Sequence, residues 1–260
     1  MKRSIKIFKS HWRLLMIMFL AAISISGALV LQYQYEKLHY KNIPFGIQLH
    51  EEISGNLPLS DRSTIFNSRN STVKIYSTMA YDYPPFISPI IATGTYVFYG
   101  DKFYILTAAH VVNDCESLTF VTSADEIAPC FDIIYLNYDS DIALVELTGP
   151  LSDKTPVKLD NTINRSKDYS IGEEIYYTGY PNDSGLLTIK GQIAGYTYDK
   201  FLMQSYAWNG ASGSGIFNTD GELIGVLSAI QVGYDGVSVE LIESIVYGVP
   251  IAEIDFTAIK

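Results

Sequence analysis

The chain has 260 residues, a net charge of −10 and 48% hydrophobic residues, so it can bury a sizeable core and is not disordered overall. This length allows one large domain or two small ones. Acidic surfaces lack the basic patches that nucleic acid requires, so we expect no nucleic-acid partner.

The N-terminus differs in composition from the rest. Residues 1–13 hold five basic and no acidic side chains, which predicts a cytoplasmic segment. Residues 14–31 carry no charge and would span about 27 Å as a helix, close to a bilayer core. We expect one transmembrane signal anchor, with a signal peptide cleaved near Ser26-Gly27-Ala28 as the alternative. Either way, the remaining chain leaves the cytoplasm, membrane-anchored with an extracytoplasmic C-terminal domain or secreted.

The next segment, residues 32–66, contains proline, glycine and polar clusters without a sustained period, which predicts a juxtamembrane stalk. Residues 67–260 show many short runs of β-branched and aromatic residues between turn signals. These runs predict an all-β sandwich or barrel domain. The predicted strands are Thr72–Ser77, Ala92–Tyr99, Lys102–Thr107, Ser117–Thr122, Phe131–Asn137 and Ile142–Leu147, followed by a second set between residues 173 and 251.

The chain has two cysteines, Cys115 and Cys130. In an exported domain they can form one disulfide across a hairpin. Spacing does not show whether the two Cβ atoms face each other, so two unpaired buried thiols stay open as the alternative.

His110 follows a run that reads as a buried strand, and it is the only imidazole in the strand-rich region. The other three histidines, His11, His39 and His50, precede that region, which leaves no set of ligands for a histidine-based zinc site, so we expect no metal. A histidine fixed at a strand end can act as a general base or as a structural hydrogen-bonding group.

Two further segments supply the partners that an imidazole needs in nucleophilic catalysis. Asp141 opens the predicted strand Ile142–Leu147 and can orient the imidazole, although Asp139 is an equally plausible turn residue. Ser212 lies in a Gly/Ser-rich loop clamped between strands, where Ser214 is a second candidate hydroxyl. Consecutive amides from Gly210 to Ser212 can form an oxyanion hole. The order His, Asp, Ser is the one used by chymotrypsin-type barrels.

Three motifs carry a family resemblance: Thr107-Ala108-Ala109-His110, Asp141-Ile142-Ala143-Leu144 and Gly210-Ala211-Ser212-Gly213. They resemble the TAAH, DIAL and GxSG segments of trypsin-like (chymotrypsin-fold, PA clan) serine proteases, nearest to the HtrA/Deg-like and glutamyl-endopeptidase-like bacterial branches. The resemblance implies two six-stranded antiparallel barrels, at about residues 70–150 and 155–255. It also implies a general base, an orienting acid and a nucleophile at His110, Asp141 and Ser212, with an oxyanion hole from the Gly210 and Ser212 amides.

The resemblance further implies a serine endopeptidase that acts on a protein or peptide substrate without a cofactor; the oligomeric state stays open. The chain ends soon after the expected closing strand, so we expect no PDZ domain. Ala211 stands where trypsin has an aspartate that pairs with a newly cut N-terminus, so zymogen activation of that kind is not expected.

The substrate pocket implied by the resemblance has Tyr206 in one wall and Ser228, Ala229 and Ile230 in the other. Neither wall offers a carboxylate, which disfavours cleavage after basic residues and favours a small or medium apolar residue. Residues 214–215 depart from the usual motif. This departure motivates the alternative of a catalytically silent protease-fold binding or chaperone module, and an esterase on the same fold is a further alternative.

Overall fold

A computed structural model describes residues 53–77, 90–112, 114–122, 126–159, 169–183, 185–234, 239–256 and 259. Residues from Ile53 to the C-terminus form one compact unit. The predicted membrane span, residues 14–31, lies outside the described residues. Among the helices that are described, none has both the length and the apolar character needed to cross a bilayer.

The first part of the described chain forms seven strands: β1 Thr72–Ser77, β2 Ile90–Tyr99, β3 Lys102–Thr107, β4 Leu118–Val121, β5 Ile127–Asn137, β6 Ile142–Leu147 and β7 Val157–Lys158. Strands β1–β6 close into an antiparallel barrel in the order β1-β4-β5-β6-β3-β2, with β1 pairing back onto β2. The short strand β7 adds to β2 in parallel.

The second part forms six strands: β8 Glu174–Gly179, β9 Leu187–Tyr196, β10 Phe201–Gln204, β11 Gly215–Asn218, β12 Leu223–Tyr234 and β13 Val239–Pro250. They close into a second antiparallel barrel in the order β10-β13-β12-β11-β8-β9. Two closed six-stranded barrels confirm the all-β architecture that the resemblance implies.

The apolar cores explain why some strands read as continuous hydrophobic runs. In β3, Ile105 packs inside the first barrel, while Tyr104 and Leu106 point the other way into a cluster shared by the two barrels. Successive strand residues face opposite sides, so a strand between two cores is apolar on both faces. Phe217 and Val226 of the second barrel complete the shared cluster. The loop before β11 lies against the end of β3, since a Cβ added to Gly213 would collide with the side chain of Thr107.

Within the described residues, helix α1 at Leu59–Ser71 precedes the first barrel and packs against β8. It overlaps the segment expected to be a stalk. The helix buries its polar face and leaves Phe66 58% exposed, the reverse of the usual amphipathic pattern. Its buried groups are hydrogen-bonded: Tyr176 Oη donates to Asp61 Oδ2 at 2.8 Å, and the hydroxyls of Ser68 and Thr178 lie 2.7 Å apart.

A disulfide joins Cys115 and Cys130, whose Cα atoms are 5.1 Å apart. Cys115 begins a short 3-10 turn and Cys130 lies in β5. The bond therefore ties the segment that follows His110 to the wall of the first barrel.

Candidate active site

His110 lies just beyond the end of β3, on a short 3-10 turn at Ala109–Val111. Ala108 and Ala109 are fully buried, and their small side chains let the turn pack closely against the barrel. The imidazole stays accessible, with 49% of its side chain exposed. The first barrel thus presents His110 at its rim rather than in its core.

Asp141 ends the turn that precedes β6. The side chain of Asn137 accepts hydrogen bonds from the amides of Asp139 and Ser140, at 3.0 and 3.2 Å, and so stabilises this turn. The backbone of Asp141 lies in the left-handed region with φ at +64°, which aspartate adopts more readily than most residues. Of the two candidate acids, the turn brings Asp141 to the imidazole.

The carboxylate of Asp141 binds both the backbone and the ring of His110. The His110 amide donates to Oδ1 at 2.9 Å, and Nδ1 lies 2.9 Å from Oδ2 and 3.0 Å from Oδ1. An ionised carboxylate only accepts hydrogen bonds, so Nδ1 carries the proton and the neutral ring keeps its lone pair on Nε2. This tautomer is the one that can accept a proton from a nucleophile.

Ser228 is a third donor to the acid, with its hydroxyl 2.5 Å from Asp141 Oδ2. Burial raises the pKa of the Asp141 carboxyl, but the hydrogen bonds from His110 and Ser228, together with the electrostatic interaction with His110, outweigh burial and hold the pKa below its usual value. The carboxylate is therefore ionised at neutral pH, as an orienting group must be.

The loop that carries Ser212 is built on two glycines with positive φ, Gly210 at +96° and Gly213 at +87°. A Cβ on Gly210 would lie 2.5 Å from the carbonyl oxygen of Tyr180. The loop turns back on itself through a 2.9 Å bond from the Ala211 amide to the Trp208 carbonyl. Positions 210 and 213 thus need glycine for both conformation and space.

The amides of this loop divide into two groups. Those of Ala211 and Gly213 donate to backbone carbonyls at 2.9 and 2.8 Å. Within the described part of the chain, the amides of Gly210 and Ser212 donate to no backbone carbonyl. They remain available to a ligand in the way an oxyanion hole requires.

The Asn209–Gly210 peptide is held in one orientation by Asn182, whose backbone N–H donates to the backbone carbonyl of Asn209 at 2.5 Å. Asn182 has φ at +51° and lies between β8 and β9. In a trans peptide the N–H and C=O point in opposite directions. Fixing the Asn209 carbonyl therefore also fixes the direction of the Gly210 amide.

His110 and Ser212 line one cleft of about 400 Å³. Ser212 is half-buried, whereas Ser214 is fully buried and its hydroxyl has no partner among the described residues. Of the two candidate hydroxyls, Ser212 is the one that reaches the cleft. The other residues lining the cleft are Ile90, Ile91, Ala92, Val111, Asn182, Asp183, Asn209 and Gly210.

The four residues expected to form a substrate pocket lie in different surroundings. Tyr206 is 67% exposed and lines an apolar cavity of about 310 Å³ with Trp208 and residues of β8 and β9. Ser228 is buried against Asp141, Ala229 is exposed and Ile230 packs against the core of the second barrel. Among the described residues, no cluster of three acidic, histidine or cysteine side chains could hold a metal ion.

Sequence reasoning placed Ser228 in a pocket wall and assigned nothing to Asn182 or Thr93. Thr93 bonds to the Ser212 loop from β2 of the other barrel. All three act through contacts between segments far apart in the chain. No local pattern marks such contacts, so only the three-dimensional arrangement identifies them.

The chain is similar to several bacterial proteases. It is 32% identical over 135 residues to a probable periplasmic serine protease do/HhoA-like from Haemophilus influenzae, covering 50% of this chain and 28% of that protein. Periplasmic serine endoprotease DegP from Escherichia coli K12 is 31% identical over 137 residues, covering 50% and 28%. A serine protease HtrA-like from Staphylococcus aureus is 28% identical over 176 residues, covering 60% and 21%. The chain spans less than a third of the length of these curated relatives.

The fold is similar to that of the serine endoprotease from Yersinia pestis, with a TM-score of 0.56 and 21% identity, over 76% of this chain and 64% of that one. The trypsin-like peptidase domain matches residues 92–226, just over half of the chain. That match begins in β2 and ends in β12, so it covers part of each barrel and the elements that carry His110, Asp141 and Ser212. The chain therefore belongs to the trypsin-like peptidase family.

Proposed function

We propose that this chain is a serine endopeptidase that hydrolyses peptide bonds of proteins outside the cytoplasm. The observation that carries the proposal is the pairing of His110 Nδ1 with the Asp141 carboxylate at 2.9 Å, while Ser212 lines the same cleft as His110. The names of the bacterial relatives, which are serine proteases and endoproteases, support the same activity.

In the proposed reaction, Ser212 Oγ attacks the carbonyl carbon of the scissile peptide. Nε2 of His110 takes the hydroxyl proton and later returns it to the leaving amine. Asp141 fixes the tautomer of the ring and stabilises the imidazolium that forms. The amides of Gly210 and Ser212 bind the oxyanion of the tetrahedral intermediate, and water then hydrolyses the acyl-enzyme.

Cleavage of a peptide library by matched variants tests this proposal. We expect Ser212→Ala to lower kcat/KM by about 10⁴-fold or more, as loss of a nucleophile does in other serine proteases. Ser214→Ala is the control from the same loop, and it should retain activity because its hydroxyl is buried away from the cleft. Absence of cleavage by the unaltered chain would favour the silent binding module instead, and equal cleavage by Ser212→Ala would contradict Ser212 as the nucleophile.

We also propose a preference for small or medium apolar residues before the scissile bond. The residue types support this preference, because none of Tyr206, Ser228, Ala229 and Ile230 is acidic and Ala229 is exposed. The same library tests it, because strong cleavage after lysine or arginine would contradict it. Matched ester and peptide substrates separate an endopeptidase from an esterase.

For location, we propose a domain outside the cytoplasm, tethered by residues 14–31. The basic residues before this apolar run and the periplasmic names of two relatives support the extracytoplasmic placement. N-terminal sequencing of the mature protein distinguishes anchor from signal peptide. A start near residue 29 would contradict the anchor.

A further inference from the structure

Thr93 lies on β2 in the first barrel, is fully buried, and has every polar atom engaged. Its amide donates to the Ser212 carbonyl at 2.9 Å, and its hydroxyl donates to the Gly210 carbonyl at 2.7 Å. The same hydroxyl accepts from the Tyr180 amide at 3.0 Å, and its carbonyl accepts from Thr107 Oγ1 at 2.9 Å. One residue of the first barrel thus bonds to two separate segments of the second.

Two of these bonds end on the carbonyls of Gly210 and Ser212, the two residues whose amides would bind the oxyanion. The Gly210 carbonyl belongs to the peptide before the Ala211–Ser212 peptide, and the Ser212 carbonyl belongs to the peptide after it. Thr93 therefore fixes the peptide units on both sides of the Ser212 amide. The Gly210 amide is oriented separately, through the bond from Asn182 to the Asn209 carbonyl.

The hydroxyl of Thr93 has little freedom. A Cβ on Gly213 would come within 2.0 Å of the Thr93 carbonyl, and one on Gly179 would come within 2.9 Å of Thr93 Oγ1. The backbones of the two barrels therefore approach each other closely around this side chain. With one donor bond and one acceptor bond made, the hydroxyl is committed to a single rotamer.

We propose that Thr93 is a positioning residue of the peptidase reaction, whose hydroxyl aligns the oxyanion-binding loop from the opposite barrel. The inference rests on the proposed function, because it assigns Thr93 a role in the same reaction. Donors aimed at the oxyanion contribute most when they are already in place before charge develops. A displacement of about 1 Å far from the reacting atoms can cost about 10²-fold in rate.

Thr95 provides a matched control. It lies two residues further along β2, is also fully buried, and its hydroxyl has no partner within the described residues. Thr→Val preserves the shape of either side chain and removes only the hydroxyl. Thr93→Ser, in contrast, keeps the hydroxyl and removes a methyl group.

The experiment measures KM and also kcat, which is expressed per active site after titration with a fluorophosphonate. It also measures the affinity for a peptide aldehyde that forms a tetrahedral adduct. We expect Thr93→Val to lower kcat by about 10–100-fold, part of the 10²–10³ that one oxyanion donor supplies, with KM little changed. Aldehyde affinity should fall in parallel with kcat. Thr93→Ser and Thr95→Val should resemble the unaltered chain in both respects.

A merely structural role would reduce the number of titratable sites without changing kcat per site, and that result would overturn the proposal. If Thr93→Val does not fold, Thr93→Ala replaces it. Failure of both to fold, with Thr93→Ser intact, would show a role in folding and would also overturn the proposal. If the unaltered chain neither cleaves nor reacts with the fluorophosphonate, the proposed function itself fails.

Discussion

Replacing Gly213 by alanine tests how tightly the Ser212 loop is held against the first barrel. The φ of +87° places an alanine in a left-handed conformation that costs about 1–2 kcal/mol. The added Cβ would also lie 2.0 Å from the Thr93 carbonyl oxygen, and this overlap with backbone costs about 1–3 kcal/mol more. Gly213→Ala should therefore lower the free energy of unfolding by about 2–5 kcal/mol.

Gly172→Ala is the matched control, because Gly172 has φ at +90° but open space around its Cβ position. It should lose only the conformational part, about 1–2 kcal/mol. Urea unfolding measures both variants, and cleavage per titrated site shows whether the folded Gly213→Ala protein keeps its loop geometry. Equal loss of stability in the two variants, with full activity in Gly213→Ala, would refute the close packing of the loop on β2.

Three other perturbations have expected outcomes. Hydrogen bonding depresses the pKa of Asp141, so the ionised carboxylate stabilises the fold above its ordinary pKa, and this stability is lost as pH falls through the depressed pKa. Ser228→Ala should reduce this pH-dependent part of the unfolding free energy. An unchanged pH profile of stability would contradict the bond from Ser228 to Asp141. Tyr176→Phe leaves the buried Asp61 carboxylate without its phenolic donor and should cost about 1.5–3 kcal/mol in urea unfolding, with faster hydrogen exchange in α1. Replacing both cysteines by serine should cost about 3 kcal/mol for a loop of 15 residues, and a loss under about 1 kcal/mol would indicate that the bond adds little.

The sequence predicted the strands well because alternation and apolar runs report burial directly. Predicted strands at Thr72–Ser77, Lys102–Thr107 and Ile142–Leu147 match β1, β3 and β6 in full. The order of the motifs also predicted that His110 and Asp141 are partners, and three hydrogen-bond contacts join them in the structure.

Helix α1 was not predicted, since its buried face is polar. Thr64 donates to the Thr219 carbonyl and Ser68 contacts the Thr178 hydroxyl, so hydrogen bonds from hydroxyl groups attach the buried face of the helix to the second barrel. A helix whose buried face is polar carries no hydrophobic periodicity in its sequence.

The roles of Ser228 and Thr93 depend on separation in the chain. Ser228 lies 87 residues from Asp141, and Thr93 lies 117 residues from Gly210. Both pairs meet because the barrels close on themselves and pack at a shared seam. The placement of a hydroxyl across that seam follows from strand register, which the local sequence does not encode.

The most direct test of the central claim is mass-spectrometric mapping of the fluorophosphonate adduct on the unaltered chain. The proposed mechanism predicts one adduct, on Ser212, that disappears in Ser212→Ala and forms far more slowly in His110→Ala, where the hydroxyl has no base. An unlabelled chain, or an adduct on Ser214, would contradict the assignment of Ser212 as the nucleophile.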